Sequence, residues 1–244
     1  MKTTIATVLF VFMVVFTIKT FAQGAGVKAD PRTTLQNKEA ATSRADQSSS
    51  PGGGLPASKL ELTGIEGKIY VGEDWPAGKV VLSDGGVIDT YRLRYDILVD
   101  QMQFIAGKDT LAFSVPQELK TITFNDHTFI YQAYQCDNTI KFGYFEVIEP
   151  GKNQLLLKRI VTYEMPDAKD AKGNIATKYF IDECYFINKP GKPSYKIMCN
   201  RKSALTVLNE HQNEIDEYLK ITGNKVKTPD DLKKLVAYYN TLDE

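Results

Sequence analysis

Cysteine, histidine and tryptophan are scarce in this chain of 244 residues, which holds three Cys, two His and one Trp. So few cysteines exclude a disulfide-stapled miniature scaffold, and a chain this long can bury enough apolar surface to do without one. The two histidines, His127 and His211, give little material for a metal site. Asn209-Glu210-His211-Gln212 lacks the second His that a zinc-binding helix presents one turn later. Neither a Gly-x-Ser-x-Gly elbow nor a Gly-rich phosphate loop occurs, and Ser83-Asp84-Gly85-Gly86 has the composition of a hairpin turn. Net charge is missing as well, with 30 basic residues against 30 acidic ones. Without a broad field of one sign the chain is not drawn to nucleic acid or anionic lipid. These absences predict no metal, no cofactor and no nucleic-acid partner.

Long apolar runs are also lacking. The longest useful one, Ile5 to Ile18, is broken only by Thr7 and Thr17 and falls short of a spanning helix. Lys2 precedes it, Lys19 ends it, and Thr20 and Ala22 supply small residues at a cleavage site. This is the pattern of a secretory signal peptide over residues 1–22, cut after Ala22. A lipid-anchored export signal needs Cys at the cut, and the first Cys is Cys136. The expectation is an exported protein, periplasmic or extracellular, soluble and not a lipoprotein. Loss of Lys2 and Lys19 leaves 28 basic against 30 acidic residues.

Residues 23–59 read as a disordered linker. Ala40 to Gly54 contains no aromatic or branched aliphatic residue, so it cannot bury enough surface to offset its ordering entropy. The texture changes at Leu60. Short runs rich in Val, Ile, Tyr, Phe and Thr alternate with Gly, Asp, Asn and Pro, which predicts strands near 68–71, 79–82, 91–95, 101–105, 110–114, 120–124, 128–135, 140–148, 154–163, 177–187 and 194–198. Turns this short leave no room for crossover helices, so the sheet is expected to be largely antiparallel. Apolar residues on both faces of 140–148, Leu155-Leu156-Leu157 and Tyr179-Phe180-Ile181 predict that both faces are covered. From about residue 201 the spacing becomes helical. Asn209 and Thr228-Pro229-Asp230-Asp231 are start signals, and Gly223 is a stop. The predicted fold is mainly β (α+β): one domain over 60–244, an antiparallel sandwich or curved half-barrel with two to three C-terminal helices.

Candidate chemistry is thin. His127 follows Asp126 at a turn, the nearest thing to an oriented imidazole, but no presented Ser accompanies it. Asp182 and Glu183 are adjacent on a strand and point to opposite faces, so they cannot form a facing acid pair. Asp167, Asp170 and Asn174 depart from the calcium-loop spacing. Trp75, in Glu73-Asp74-Trp75-Pro76, can stack on a sugar or peptide or plug the edge of the core. Trp75 and His127 are therefore the candidate ligand contacts. A hairpin folded symmetrically about Gly191 and Lys192 sets Cys184 opposite Cys199, a candidate disulfide weighed against two buried thiols.

Gly78 to Gly85, Leu93 to Asp96, Asp100 to Phe104, Gly143 to Val147, Leu155 to Lys158, and Asp231 to Leu235 with Tyr238 to Asn240 follow one another in a definite order. That order of segments resembles a family of exported Gram-negative β-rich proteins of unassigned function. The likeness spans most of the chain beyond Lys68 and rests on packing and turn motifs. It implies a β domain with C-terminal helices and brings no activity or site residue. The function expected is a non-enzymatic binding or interaction module with an unknown protein partner. The alternative is a carrier of a lipid or other apolar small ligand in a β-lined cavity, and a hydrolase using Asp126 and His127 ranks third.

Overall fold

The computed structural model describes residues 53–58, 65–164 and 178–242. The signal peptide, the linker as far as residue 52, and Asp167, Asp170 and Asn174 lie outside the described residues. The described residues form two sheets followed by three α-helices. The first sheet has the order β1 (Gly54–Pro56), β8 (Asp109–Phe113), β7 (Gln101–Ala106), β6 (Leu93–Asp96), β3 (Tyr70–Val71). The second runs β14 (Tyr195–Ile197), β13 (Lys178–Asn188), β12 (Gln154–Glu164), β11 (Thr139–Glu149), β10 (His127–Cys136), β9 (Leu119–Phe124), β4 (Gly78–Leu82), β5 (Val87–Ile88). Every neighbour in both orders is antiparallel, and β2 (Ile65–Glu66) adds to β13 in parallel. The fold is thus mainly β and antiparallel.

Side-chain alternation decides what each face meets. Leu93, Tyr95, Met102 and Phe104 of the first sheet pack against Val80, Ile122, Phe124, Phe129 and Tyr144 of the second. The rings interlock there: Phe124 stacks on Phe129 at 5.4 Å, and Tyr95 lies 5.2 Å from Phe129. The sheets also join at a corner, where the Gly78 N–H donates to the Tyr91 carbonyl and the Leu93 N–H to the Pro76 carbonyl. The far side of the second sheet curls on itself. Ser194 N–H donates to the Ala133 carbonyl and Gln135 N–H to the Ser194 carbonyl, bringing β10 against the start of β14. The five strands β10 to β14 enclose Phe145, Leu156 and Phe186, with Ile130, Tyr134, Val147 and Cys184 around them.

Helices cover the other end of β12 and β13. Asn200 caps α1 (Arg201–Val207) by accepting from the Ser203 N–H. A 3-10 turn at Asn209–His211 leads into α2 (Gln212–Thr222), which ends at Gly223 with φ 67°. Thr228 and Asp231 form a reciprocal cap on α3 (Pro229–Leu242), each accepting the other's backbone N–H. Leu208, Ile215, Leu232, Leu235, Val236 and Tyr239 close over Leu155, Ile187 and Ile197. Burying a Leu or Val of this kind contributes roughly 1.5–3 kcal/mol. The start signal at Asn209 is not used as a cap: Asn209 opens the 3-10 turn, and α2 begins after His211 with no side-chain cap, whereas Asn200 caps the separate helix α1.

Two expectations need correction. Gly54–Pro56, read as part of a disordered linker over 23–59, pairs with Leu111–Phe113 as an edge strand. Glycine is what permits it, because a Cβ at Gly54 would stand 2.6 Å from the Phe104 ring and 2.8 Å from Leu111 Cβ. Backbone pairing and this close approach order the three residues, a tertiary effect that composition does not register. The second correction is Cys184 and Cys199, which are free thiols, as is Cys136. β13 and β14 pair Tyr185 with Ile197, one residue off the symmetric register, and a one-residue slip sends every side chain to the other face. Cys184 joins the ring interior, while Cys199 packs beside the helices.

Candidate functional site

A cleft of about 680 Å³ opens where β3 and its flanking loops face the second sheet. Its wall on one side is Gly67 to Asp74, with Tyr70 and Val71. Opposite stand Asn125 and His127 from the β9–β10 turn, Arg159 of β12 and Ile181 of β13. The tight turn Asn125-Asp126 sets His127 at the start of β10, opposite Phe124. Asn125 adopts φ 47°, a left-handed conformation that Asn tolerates better than most residues.

One carboxylate organises the floor. Glu146 is 8% exposed, and its two oxygens are both engaged. Oε1 lies 2.6 Å from His127 Nδ1, and Oε2 accepts from Arg159 Nη1 at 2.6 Å. Strand pairing explains the meeting, since Glu146 sits opposite Phe129, two residues along β10 from His127, and opposite Leu157, two residues along β12 from Arg159. All three project to the same face. A carboxylate only accepts, so His127 Nδ1 carries a proton and donates it. Among the described residues His127 Nε2 and Arg159 Nη2 have no protein partner, and both residues line the cleft. Arg159 Nε also lies 3.7 Å from Glu183, to which Tyr185 donates at 3.0 Å. Burial, and then Glu183, push the Tyr185 phenol above its ordinary range.

A second polar group pins the cleft from behind. Asp100, in the β6–β7 turn, accepts from the Tyr95 hydroxyl at 2.6 Å, from Lys158 Nζ at 2.7 Å and from the Tyr144 N–H at 3.3 Å. Lys158 is 5% exposed and also donates to the Tyr144 carbonyl. This network occupies the place where β11 parts from β12. Gly143 leaves room for this pair, because a Cβ would come to 2.5 Å from both Asp100 Oδ2 and Lys158 Nζ and one of them would have to shift. Burial, reinforced by Asp100, raises the Tyr95 and Tyr144 phenols well above their usual range. The same turn carries Ile97 into the cleft lining.

Of the two candidate ligand contacts, His127 stands in the cleft. Trp75 stands beside it: the Arg94 guanidinium lies between the Tyr70 ring at 3.8 Å and the Trp75 ring at 4.1 Å. Trp75 is thus linked to the lining through Arg94 and Tyr70. Asp126, proposed as the acid for His127, is exposed, and Glu146 holds that role instead. Asp182 bonds Thr162 while Glu183 faces Arg159, so the two adjacent acids do point apart. Sequence reasoning missed Glu146 and Arg159, although an acid inside the apolar run Tyr144 to Ile148 was a visible anomaly. Among the described residues no three His, Cys, Asp or Glu side chains are grouped to hold a metal, and no helix is long and apolar enough to cross a membrane. Compared with protein families, curated proteins and solved structures, the chain matches none.

Proposed function

We propose that this protein is an exported, non-enzymatic binding module whose ligand site is the Tyr70–His127–Arg159 cleft. The observation that carries the reading is Glu146, a nearly buried carboxylate that fixes an imidazole and a guanidinium, both of them on residues that line the cleft. Rigid polar groups of this kind on an apolar wall are the ordinary make-up of a recognition site, and about 680 Å³ falls within the roughly 300–1,000 Å³ range of small-ligand pockets. Ser, Thr and Cys are missing from the lining residues, so hydroxyl- and thiol-based acyl transfer has no nucleophile in this cleft. The signal-peptide pattern of residues 1–22 supports export. The carrier reading is the weaker one, because the opposing sheet, the helices and the interior of β10 to β14 take up most of the apolar side chains, although Ile140 and Phe142 at the start of β11 stay 54% and 55% exposed.

The test is native mass spectrometry of the protein secreted under its own signal peptide, next to a Lys68→Trp variant that fills the exposed rim of the cleft. A mass adduct on the native protein that the variant lacks is the expected result. An adduct that survives the substitution, or none in either protein, defeats the assignment to this cleft.

A further inference from the structure

The cleft's charges constrain its ligand. Lys68 and Arg159 are balanced by Glu73 and Asp74 in the lining, and Lys68 lies 3.8 Å from Glu73. Glu146 lies beneath them with both oxygens taken. An oxyanion entering here would meet as many carboxylates as cations, and a cationic ligand would meet the Arg159 guanidinium. Neither sign is favoured. What the lining offers is a set of planar polar groups: two carboxylates, the Asn125 carboxamide, the His127 imidazole and the Arg159 guanidinium.

Those groups suit hydroxyls. A hydroxyl donates one hydrogen bond and accepts others, so it can accept from Arg159 Nη2 while donating to a carboxylate. For the same reason it can bond His127 Nε2 whichever role that nitrogen takes. Apolar surface stands alongside: the Tyr70 ring, Val71, Ile97 and Ile181. A pyranose has the same division, with hydroxyls around its rim and C–H groups on its faces, and aromatic rings pack against such faces. We infer that the cleft binds a neutral saccharide, with Arg159, His127, Asn125 and the acids Glu73 and Asp74 bonding its hydroxyls and Tyr70 packing on a ring face. This rests on the reading of the cleft as a binding site and names its ligand class.

Trp75 is the only tryptophan in the chain, and it contacts the lining through Arg94 and Tyr70, so its emission reports on the cleft without a label. The experiment titrates the secreted protein with chitotetraose, cellotetraose and maltotetraose, and separately with inorganic phosphate and acetate. The expected result is a saturable emission change with at least one oligosaccharide and none with the anions. Asn125→Gly keeps the left-handed turn and removes the carboxamide, and Asp74→Ala removes an exposed lining acid. Each is expected to weaken that binding about tenfold, a loss of about 1.4 kcal/mol, while Lys192→Ala in the remote β13–β14 turn leaves it unchanged. Response to phosphate or acetate in place of the sugars, no response to any sugar, or sugar binding indifferent to both cleft variants overturns the inference. The two readings fail separately: a non-carbohydrate adduct in the native spectrum that Lys68→Trp removes would end the saccharide assignment and leave the binding module standing.

Discussion

The two ends of the β12–β13 ribbon are built from one pair of strands by different means. At the helical end Leu155, Ile187 and Ile197 meet Leu232, Leu235 and Val236, all within 1% of complete burial, in an apolar contact. At the cleft end the same face of β12 carries Arg159, and the other carries Lys158, each held by a carboxylate from elsewhere in the chain. Apolar contact is forgiving of partner identity, and trimming it costs the lost contact and the cavity left behind. A buried ion pair contributes little net stability over an apolar substitute, yet removal of one member strands the other. The helical end therefore holds the fold together. The cleft end keeps a set of charges in fixed positions, at a cost in robustness.

The sharpest way to break this contrast is Asp100→Ala, which leaves the Lys158 ammonium buried without its carboxylate. The expected loss is about 3–5 kcal/mol in denaturant unfolding. Asp100→Asn combined with Lys158→Met is expected to recover most of it, because no charge is then stranded. Equal losses in the single and double variants would show that the charges themselves are not the issue. Leu235→Ala at the helical end follows, at about 2–5 kcal/mol by loss of contact and an unfilled cavity. No second substitution of charge is expected to restore it, and ligand binding at the cleft is expected to persist wherever the protein stays folded.

Smaller effects separate the ends further. Thr228→Ala removes the hydroxyl that caps α3 and is expected to cost about 1 kcal/mol, read as a lower midpoint at unchanged slope. The smallest effect is one of sign with pH. Asp96, 3% exposed, has its carboxyl raised by burial against the hydrogen bonds from Leu98 and Val99. An acid raised in the folded state contributes stability below its unfolded value, near 4, and loses it as pH rises through the folded value. Asp231 is the reverse. The backbone N–H of Lys227, aided by that of Thr228, lowers its carboxyl, so its contribution is present above pH about 4 and is lost as pH falls through the lower folded value. Unfolding curves of Asp96→Asn and Asp231→Asn against the parent, taken from pH 3 to 7, should diverge from it in opposite directions. Parallel curves would remove the distinction.

The local elements of this fold were legible. Alternating Val, Ile, Tyr and Phe between turn residues marked the strands from β3 to β14, apart from the two-residue β5, because the side-chain period follows from backbone geometry alone. Thr228-Pro229 and Gly223 marked helix ends for an equally local reason, the orphan backbone groups and the left-handed turn. Less legible was β1, whose one glycine, Gly54, signals either freedom or close approach, and only Phe104 and Leu111 tell which.

The candidate site was half legible. His127 was singled out for its place beside an acid, but the acid was the wrong one. Asp126 is its neighbour in sequence, and Glu146 is its neighbour across β10 and β11. Nothing local distinguishes them, since the choice depends on strand order and on which face each side chain takes. The cysteines teach the same point, as a single residue of register placed Cys184 and Cys199 on opposite faces. By itself the sequence determined the strands, the helix ends and the absence of the common catalytic motifs, all of which follow from neighbours within a few residues. Only the tertiary structure decided the pairing of Glu146 with His127 and Arg159, the burial of Lys158 against Asp100 and the opening of the cleft. These arise between strands far apart in the chain, where register and packing, rather than local preference, select the partner.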